Sequence, residues 1–386
     1  MSEYQYYEFR ALDQPLSGQQ RQELRKLSSR AQISATRFVN TYNFGDFRGD
    51  VDQVMERYFD VHLYRANWGT RQVILRWPRT LLDPGAVAPY APGQSARAWA
   101  TETHVLLALT STDEEGDWDL YDDDREDGEA GILAELLPVR DEVAAGDPRA
   151  LYVGWLLAVQ SGEVDDEVLE PPVPPGLATS SEALQTLTRF LRLDAELLAA
   201  AAEASAPLDP GVDPAQLGAW IAALPPAEKD ALLAQVVTGP SDAVALALRS
   251  RFRRAMAPGH RSDGAPRTVG ALLAAAERRR QARERAAAQR AAREAERRAR
   301  AEAEAMERRL RALALRGEAA WADVEARIQT KRPGEYQTAR DLLRDLQTLA
   351  ARDGREAEFA RRLAQLRERH ARKLSLLVIL KDLDLP

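Results

Sequence analysis

The hydrophobic pattern of the chain begins with strand-like alternation and later changes to helical spacing. Alternating apolar and polar positions recur in four segments, residues 4–12, 34–44, 71–77 and 99–110. Apolar residues at helical spacing predict a helix that carries Leu24 and Leu27 and another over residues 50–66. The resulting β-α-β-α-β-β order predicts an α+β domain over residues 1–110, with one sheet and helices on one face.

Beyond this domain the pattern is mostly helical. An acidic loop over residues 111–130 leads to a predicted helical domain at 131–256. That domain is interrupted at 170–176, where Glu-Pro-Pro-Val-Pro-Pro-Gly predicts a stiff, polyproline-like boundary. A polar hinge is predicted at 257–267.

The longest regular pattern covers residues 268–330. This stretch contains no proline, and its Ala, Arg and Glu residues favour helix almost throughout. A continuous helix of about 60 residues would be roughly 90 Å long. From residue 277 to 298 the only apolar residue type is alanine, so the helix is polar all round there. Such a helix bridges solvent, is stabilised by side-chain pairs or binds a partner.

The second half of this helix has a predicted packing seam. Its larger members are Met306, Leu310, Leu313 and Val324. Their spacing is that of a coiled coil or a helical hairpin. Because small residues fill most other seam positions, we expect this half to pack against the C-terminal helices. Residues 335–386 then complete a helical hairpin or a three-helix bundle.

Composition narrows the range of functions. The 386-residue chain has no cysteine, which excludes disulfides, cysteine-ligated metal sites and thiol nucleophiles and fits a reducing cytoplasm. No apolar run approaches the ~18 residues of a membrane span. The heavy use of Arg, Ala, Pro and Gly is typical of a GC-rich bacterial genome, so arginine content alone is weak evidence for nucleic-acid binding.

The net charge of −7 hides two blocks of opposite sign. Residues 102–170 carry a net charge of −18, and residues 249–316 carry +12. In the acidic block, residues 113–129 read as a solvated loop, with protein binding or a divalent cation as alternatives. In the basic block, two clusters are the candidate polyanion-binding residues: Arg251, Arg253, Arg254, Arg278, Arg279 and Arg280.

Motifs for catalysis are missing from the sequence. The four histidines, at positions 62, 104, 260 and 370, are isolated and do not have metal-ligand spacing. Phosphate-binding loops, dinucleotide fingerprints and nucleophile elbows do not occur. Asp46, Asp50 and Asp52 are near enough in sequence to bind a metal ion together, but helix capping at Asp50 is the simpler explanation. We therefore predict no catalytic residue, cofactor or metal ligand, and we do not expect an enzyme.

Two segments resemble known bacterial proteins. The opening Tyr7-Glu8-Phe9-Arg10-Ala11, together with the Pro-Pro-Val-Pro-Pro-Gly boundary, resembles an uncharacterised bacterial family over roughly residues 1–205. The segment 336–380 resembles the C-terminal tail of some bacterial SWIM-type zinc-finger proteins. The zinc-binding Cys/His pattern itself is absent, so this resemblance implies no metal.

These patterns lead to two functional hypotheses. The first is a cytoplasmic interaction or scaffold protein, whose helical segments bind another protein or self-associate, with no membrane contact. The alternative is a nucleic-acid-binding accessory protein that uses the basic segment 249–316. Glu alternates with Arg through 284–307, which favours a helix stabilised by its own ion pairs over a surface that binds a phosphate backbone.

Overall fold

The computed structural model describes most of the chain as two compact units. The described residues are 4–112, 128–208, 214–238, 244–245, 248–249, 251–252, 255 and 267–380. One unit comprises Met1–Ala282 and the other comprises Arg283–Pro386. The predicted fold class is confirmed, since an α+β part at the start precedes a mostly helical part that contains a long helix.

A seven-stranded antiparallel sheet forms the centre of the first unit. Its strands are β1 (Gln5–Arg10), β2 (Gln32–Ile33), β3 (Arg37–Tyr42), β4 (Val61–Ala66), β5 (Arg71–Pro78), β6 (Ala96–Ala100) and β7 (His104–Ser111). Their order across the sheet is β2-β3-β1-β4-β5-β7-β6. Strand β1 is an interior strand, and its Phe9 pairs with Phe38 of β3 and with His62 of β4.

Two helices cover one face of this sheet. Helix α1 (Gly18–Leu27) begins at Ser17, which forms a capping box with Gln20. Helix α2 (Val51–Tyr58) begins at Asp50, whose carboxylate accepts the backbone N–H of Gln53, as the sequence predicted. Leu24 and Met55 from these helices lie fully buried against the rings of Phe9 and Phe38.

Residues 59–66 differ from the prediction. The predicted helix over 50–66 ends at Tyr58, and β4 begins at Val61. Val61 and Leu63 lie in the core on one face of the sheet, whereas His62 and Tyr64 face the other. This period of two and the pairing with both β1 and β5 override the helical spacing of the apolar residues.

The prediction that helices cover only one face of the sheet was wrong. Further helices cover the second face: α3 (Pro84–Val87), α4 (Gly128–Ala144), α5 (Arg149–Gln160), α6 (Glu182–Phe190) and α7 (Ala195–Ala202). Val73, Leu75 and Trp77 of β5 point into that second core, while Ile74 points into the first. The uninterrupted apolar run of β5 follows from burial on both faces. Helices α8 (Pro214–Ala223) and α9 (Pro226–Thr238) come next in the chain.

The long helix is shorter than predicted. Helix α10 spans Val269–Arg316, 48 residues, and ends at Gly317, where φ is +48°. That positive φ is readily adopted by glycine and ends the regular helix before residue 330. Helix α11 (Glu318–Gln329) follows after the break.

A helical core closes the chain. Helices α12 (Pro333–Arg352), α13 (Glu356–Arg369) and α14 (Leu374–Ile379) pack with α11 and the end of α10 around Val324, Leu343 and Phe359. Gly354, with φ of +67°, follows the end of α12 in the left-handed conformation that glycine adopts readily.

Some predictions fall outside the described residues. They include most of the acidic loop, at 113–127, and most of the hinge, at 257–266. The domain boundaries drawn from the sequence stay predictions. Within the described residues, no helix is long and apolar enough to span a membrane.

Candidate interaction surface

The long helix starts from a buried position in the first unit. Val269, Leu272 and Ala276 lie on one side of its first turns and are almost completely buried in the core beside the sheet. Residues 166–170 run alongside its beginning, where Leu169 forms a β-bridge with Thr268. The backbone N–H groups of the first helical turn therefore find acceptors outside the helix, including the carbonyl of Val168 at 2.9 Å.

A buried ion pair reinforces this attachment. Arg267 donates to both carboxylate oxygens of Glu170 at 2.8 Å and to the carbonyl of Ala200 at 2.9 Å. The Glu170 side chain is 4% exposed and also accepts a hydrogen bond from the Tyr152 hydroxyl. Burial, followed by the neighbouring Glu170 carboxylate, raises the pKa of Tyr152, so the phenol stays protonated as a donor. These contacts fix the start of α10 against the Pro-rich boundary.

Three of the four predicted polyanion-binding arginines that the structure describes pair with carboxylates. Arg279 lies 3.3 Å from Glu196 and 2.6 Å from Glu203. Arg280 lies 2.5 Å from Asp194, and it also pairs with Glu277. The carboxylates of Asp194, Glu196 and Glu203 come from the start and end of α7, a segment that no pattern in the sequence connects with this cluster.

The remaining candidate arginines occupy different surroundings. Arg278 is exposed on α10. Arg251 pairs with Glu228 of α9. Arg253 and Arg254 lie outside the described residues. The structure therefore brings Arg278, Arg279 and Arg280 together on one helix and does not place Arg251 with them.

The part of α10 in the second unit has a long exposed stretch, residues 283–309, which we call the stem. Every stem side chain is exposed except that of Ala286, which is half-buried. Glu294 and Arg298 are 3.9 Å apart, Arg300 and Glu304 are 3.1 Å apart, and each pair is separated by four residues. Exposed pairs of this kind contribute only a few tenths of a kcal/mol each, so they support the helix without burying it.

The predicted seam begins where the stem ends. Leu310 is 6% exposed, Leu313 is 5% exposed, and Val324 is completely buried. All three belong to the core of the second unit. Met306, one turn before Leu310, is 43% exposed and lies outside that core. The seam therefore starts at Leu310, because the helices that could cover an earlier turn do not reach Met306.

The second unit also has a charged groove of about 370 Å³ between α10, α11 and α12. Arg309 reaches Asp345 at 2.5 Å, and Arg316 reaches Asp323 at 2.8 Å. Arg327 lies 3.0 Å from Asp323 as well. Because these arginines and aspartates neutralise one another across the groove, it offers neither a bare cation cluster nor a bare carboxylate cluster.

The ionisable groups buried in the first unit form structural contacts. Asp60 accepts two bonds from Arg76, at 2.7 and 3.2 Å, and the backbone N–H groups of Leu12 and Asp13. Burial raises the pKa of Asp60, but the Arg76 guanidinium and these hydrogen bonds outweigh burial and hold the pKa below its ordinary value. Asp60 therefore stays ionised and ties the turn before β4 to β1 and β5.

His62 is the most unusual of these buried groups. Its ring stacks on Phe9 at 4.0 Å between centroids, and its Nδ1 lies 2.9 Å from the carbonyl of Glu8. Nδ1 must therefore carry the proton. Nε2 is buried and has no hydrogen-bond partner among the described residues. Burial lowers the pKa of His62 to about 3, so the ring is neutral near pH 7. The described residues contain no group of three or more His, Asp or Glu side chains placed to hold a metal ion.

Comparison with known proteins does not identify the chain. No protein-family model, curated protein or solved structure matches it.

Proposed function

We propose that this chain is a non-enzymatic interaction or scaffold protein of the bacterial cytoplasm, and that its stem, residues 283–309, binds a protein partner or a second copy. The observation that carries the proposal is the exposure of the stem between a buried helix start and a buried helix end. The absence of cysteine supports a reducing compartment.

The composition of the stem suits a protein partner. A helix that is polar all round has no face to bury in its own chain, so its length serves to hold a surface in solvent. Arginine and glutamate are interleaved along it, with alanine between them. Such a surface matches another helix that carries both signs of charge, and the small alanines allow close approach.

The chemistry of the buried groups agrees with a binding role. Asp60, Glu170 and His62 each lie inside packed cores and serve to join strands, loops and helices. The pKa shifts of Asp60 and His62 arise from burial and from contacts within the sheet, which favours structural roles over acid or base catalysis.

The alternative function, nucleic-acid binding through residues 249–316, has less support. Arg279 and Arg280 would have to exchange the carboxylates of α7 for phosphates. Stem arginines such as Arg298 and Arg300 also have glutamates one turn away. These pairs reduce the positive potential that a phosphate backbone requires.

Capture from lysate of the native bacterium tests the proposal. The tagged full chain is compared with a stem variant that combines Arg290→Glu, Arg293→Glu and Arg297→Glu. A control carries three equal changes at exposed arginines of the second unit: Arg344→Glu, Arg361→Glu and Arg372→Glu. We expect proteins that are enriched by the native chain and the control to be lost from the stem variant. Equal capture by all three chains would contradict the proposal.

A salt titration tests the nucleic-acid alternative directly. Labelled duplex and single-stranded DNA and RNA are titrated with the full chain at low and at physiological salt. Phosphate binding would weaken with a log–log slope of about −0.9 per contact on a duplex. Tight, salt-sensitive binding that disappears when Arg251, Arg253, Arg254, Arg278, Arg279 and Arg280 become Gln would replace the protein-partner proposal.

A further inference from the structure

The first unit has two hydrophobic cores, which lie on opposite faces of its sheet. The first core, on the face that α1 and α2 cover, has 14 buried apolar residues among those described, whereas the second core has 40. Leu24 of α1 and Met55 of α2 are completely buried in the first core. Because a protein opens in separate cooperative parts of unequal stability, the smaller core can open while the larger one stays packed.

His62 lies on the sheet face that α1 and α2 cover. Its ring stacks on Phe9 at 4.0 Å between centroids, and the ring of Phe59, just after α2, lies 5.3 Å from the same Phe9. Nδ1 donates to the carbonyl of Glu8 at 2.9 Å. Nε2 is buried and has no hydrogen-bond partner among the described residues. A proton added to Nε2 would therefore bury a charge against aromatic rings without an acceptor, which is costly.

The closed first core thus keeps His62 neutral, and opening it removes that constraint. Burial lowers the pKa of His62 to about 3, whereas a histidine in water titrates near 6.5. Lifting α1 and α2 from the sheet would admit water to the ring and restore the ordinary pKa. Between these two pH values a proton binds only the open form, so the open fraction rises as the pH falls. From pH 7 to pH 5 the ratio of open to closed form should rise about 25-fold.

Other titratable and charged groups surround His62. On the sheet and the neighbouring loops they are Tyr7, Tyr42, Asp46, Asp60, Tyr64 and Arg76. Helices α1 and α2 carry three carboxylates with donors: Glu23 with Tyr58, Asp52 with Arg97, and Glu56 with Trp99. The exposed cations of the two helices are Arg21, Arg25, Lys26 and Arg57. All of these groups remain when His62 is replaced, so a comparison with a His62 variant isolates the effect of the ring.

We propose that α1 and α2 form an acid-sensitive cover over the first core and that His62 is the group whose protonation favours opening. Opening would expose the rings of Phe9 and Phe38, which are completely buried in the closed form. The second core would stay packed, because helices α4 to α7 lie on the opposite face of the sheet. This inference goes beyond the proposed function, which uses the stem, and either can fail without the other.

Native-state hydrogen exchange of the full chain at pH 7 and pH 5 tests the role of His62. Each exchange rate is divided by the rate of the same amide in an unfolded peptide at that pH. Between pH 7 and pH 5, amides of α1 and α2 should gain about 25-fold more in the native chain than in His62→Phe. His370→Gln is the control and should behave like the native chain, because His370 lies in the second unit. An equal gain in the native chain and His62→Phe overturns the proposal.

The same data show whether the cover opens by itself. At pH 5 the amides of α1 and α2 should exchange about tenfold or more faster than those of α5, and their rates should depend less on added urea, because a local opening exposes less surface. One common rate with one urea dependence for all three helices overturns the proposal, since His62 would then act only on global unfolding. If His62→Phe does not fold, NMR of the native chain decides. The ring should stay neutral and protonated on Nδ1 at pH 5 in the closed form, and a ring that titrates near pH 6.5 while α1 and α2 stay protected overturns the proposal.

Discussion

Leu310 marks the point where the exposed stem becomes part of a core, and its truncation gives a quantitative test. The side chain is 6% exposed and packs in the core of the second unit. Leu310→Ala removes three carbon atoms, worth about 0.8 kcal/mol each on transfer from water. The cavity left behind adds to this loss, so the total should fall within the ~2–5 kcal/mol seen for buried leucines.

Native-state hydrogen exchange, read by mass spectrometry on the full chain, measures this loss locally. Amides of Glu318–Gln329 should exchange about 30-fold to 4,000-fold faster in Leu310→Ala, at about 1.4 kcal/mol for each factor of ten. Met306→Ala is the matched control, because this side chain is 43% exposed and its truncation should change stability by at most about 0.5 kcal/mol. Equal effects of the two substitutions would refute the placement of the seam.

Three further predictions concern buried or strained positions. The pKa of His62 is about 3 in the folded state and near its ordinary value of 6.5 in the unfolded state. The unfolded state therefore binds more protons between these two pH values, and the free energy of unfolding falls as the pH drops below about 6.5. Between pH 7 and pH 5 His62 should lower the free energy of unfolding by about 2 kcal/mol, and urea unfolding of His62→Phe should not show this loss. If the free energy of unfolding depended on pH equally in both proteins, the prediction would be contradicted. Gly317→Ala should destabilise the second unit by about 1–3 kcal/mol through its positive φ, whereas Gly334→Ala should be nearly neutral by thermal unfolding. Glu170→Gln should loosen the start of α10, because Arg267 loses its buried carboxylate partner. Hydrogen exchange of the amides at 269–276 should then become faster, and unchanged exchange would mean that the ion pair does not hold the helix.

The sequence predicted elements best where one periodic pattern was long. The stem was predicted because arginine, glutamate and alanine favour helix whatever surrounds them. The end at Gly317 was missed because a glycine inside a helical pattern is tolerated unless tertiary contacts turn the chain there. At Val61–Ala66 the pattern suited a helix and a strand equally, and only the pairing with strands far apart in the chain decides between them.

The candidate site was predictable only in part, because its ion pairs join residues that are far apart in the chain. Composition located the basic cluster at Arg278–Arg280, but the carboxylates at the ends of α7 that pair with Arg279 and Arg280 lie 76 to 86 residues away in the chain. Contacts over such distances are not visible in one sequence. The helical spacing of the sequence places Leu233, Val236 and Val237 on one side of α9. Only the structure shows that this side remains exposed.

Photocrosslinking in living cells tests the central claim most directly, namely that the stem is a surface for another protein. A photoreactive amino acid replaces exposed Ala291, Ala295 or Ala299, one at a time, and Ala357 of α13 serves as an exposed control. In the native bacterium we expect the stem positions to give discrete adducts, which protease digests and nuclease leaves intact. The control position should give none of these adducts. Adducts sensitive to nuclease, or no adduct from any stem position, would contradict the account.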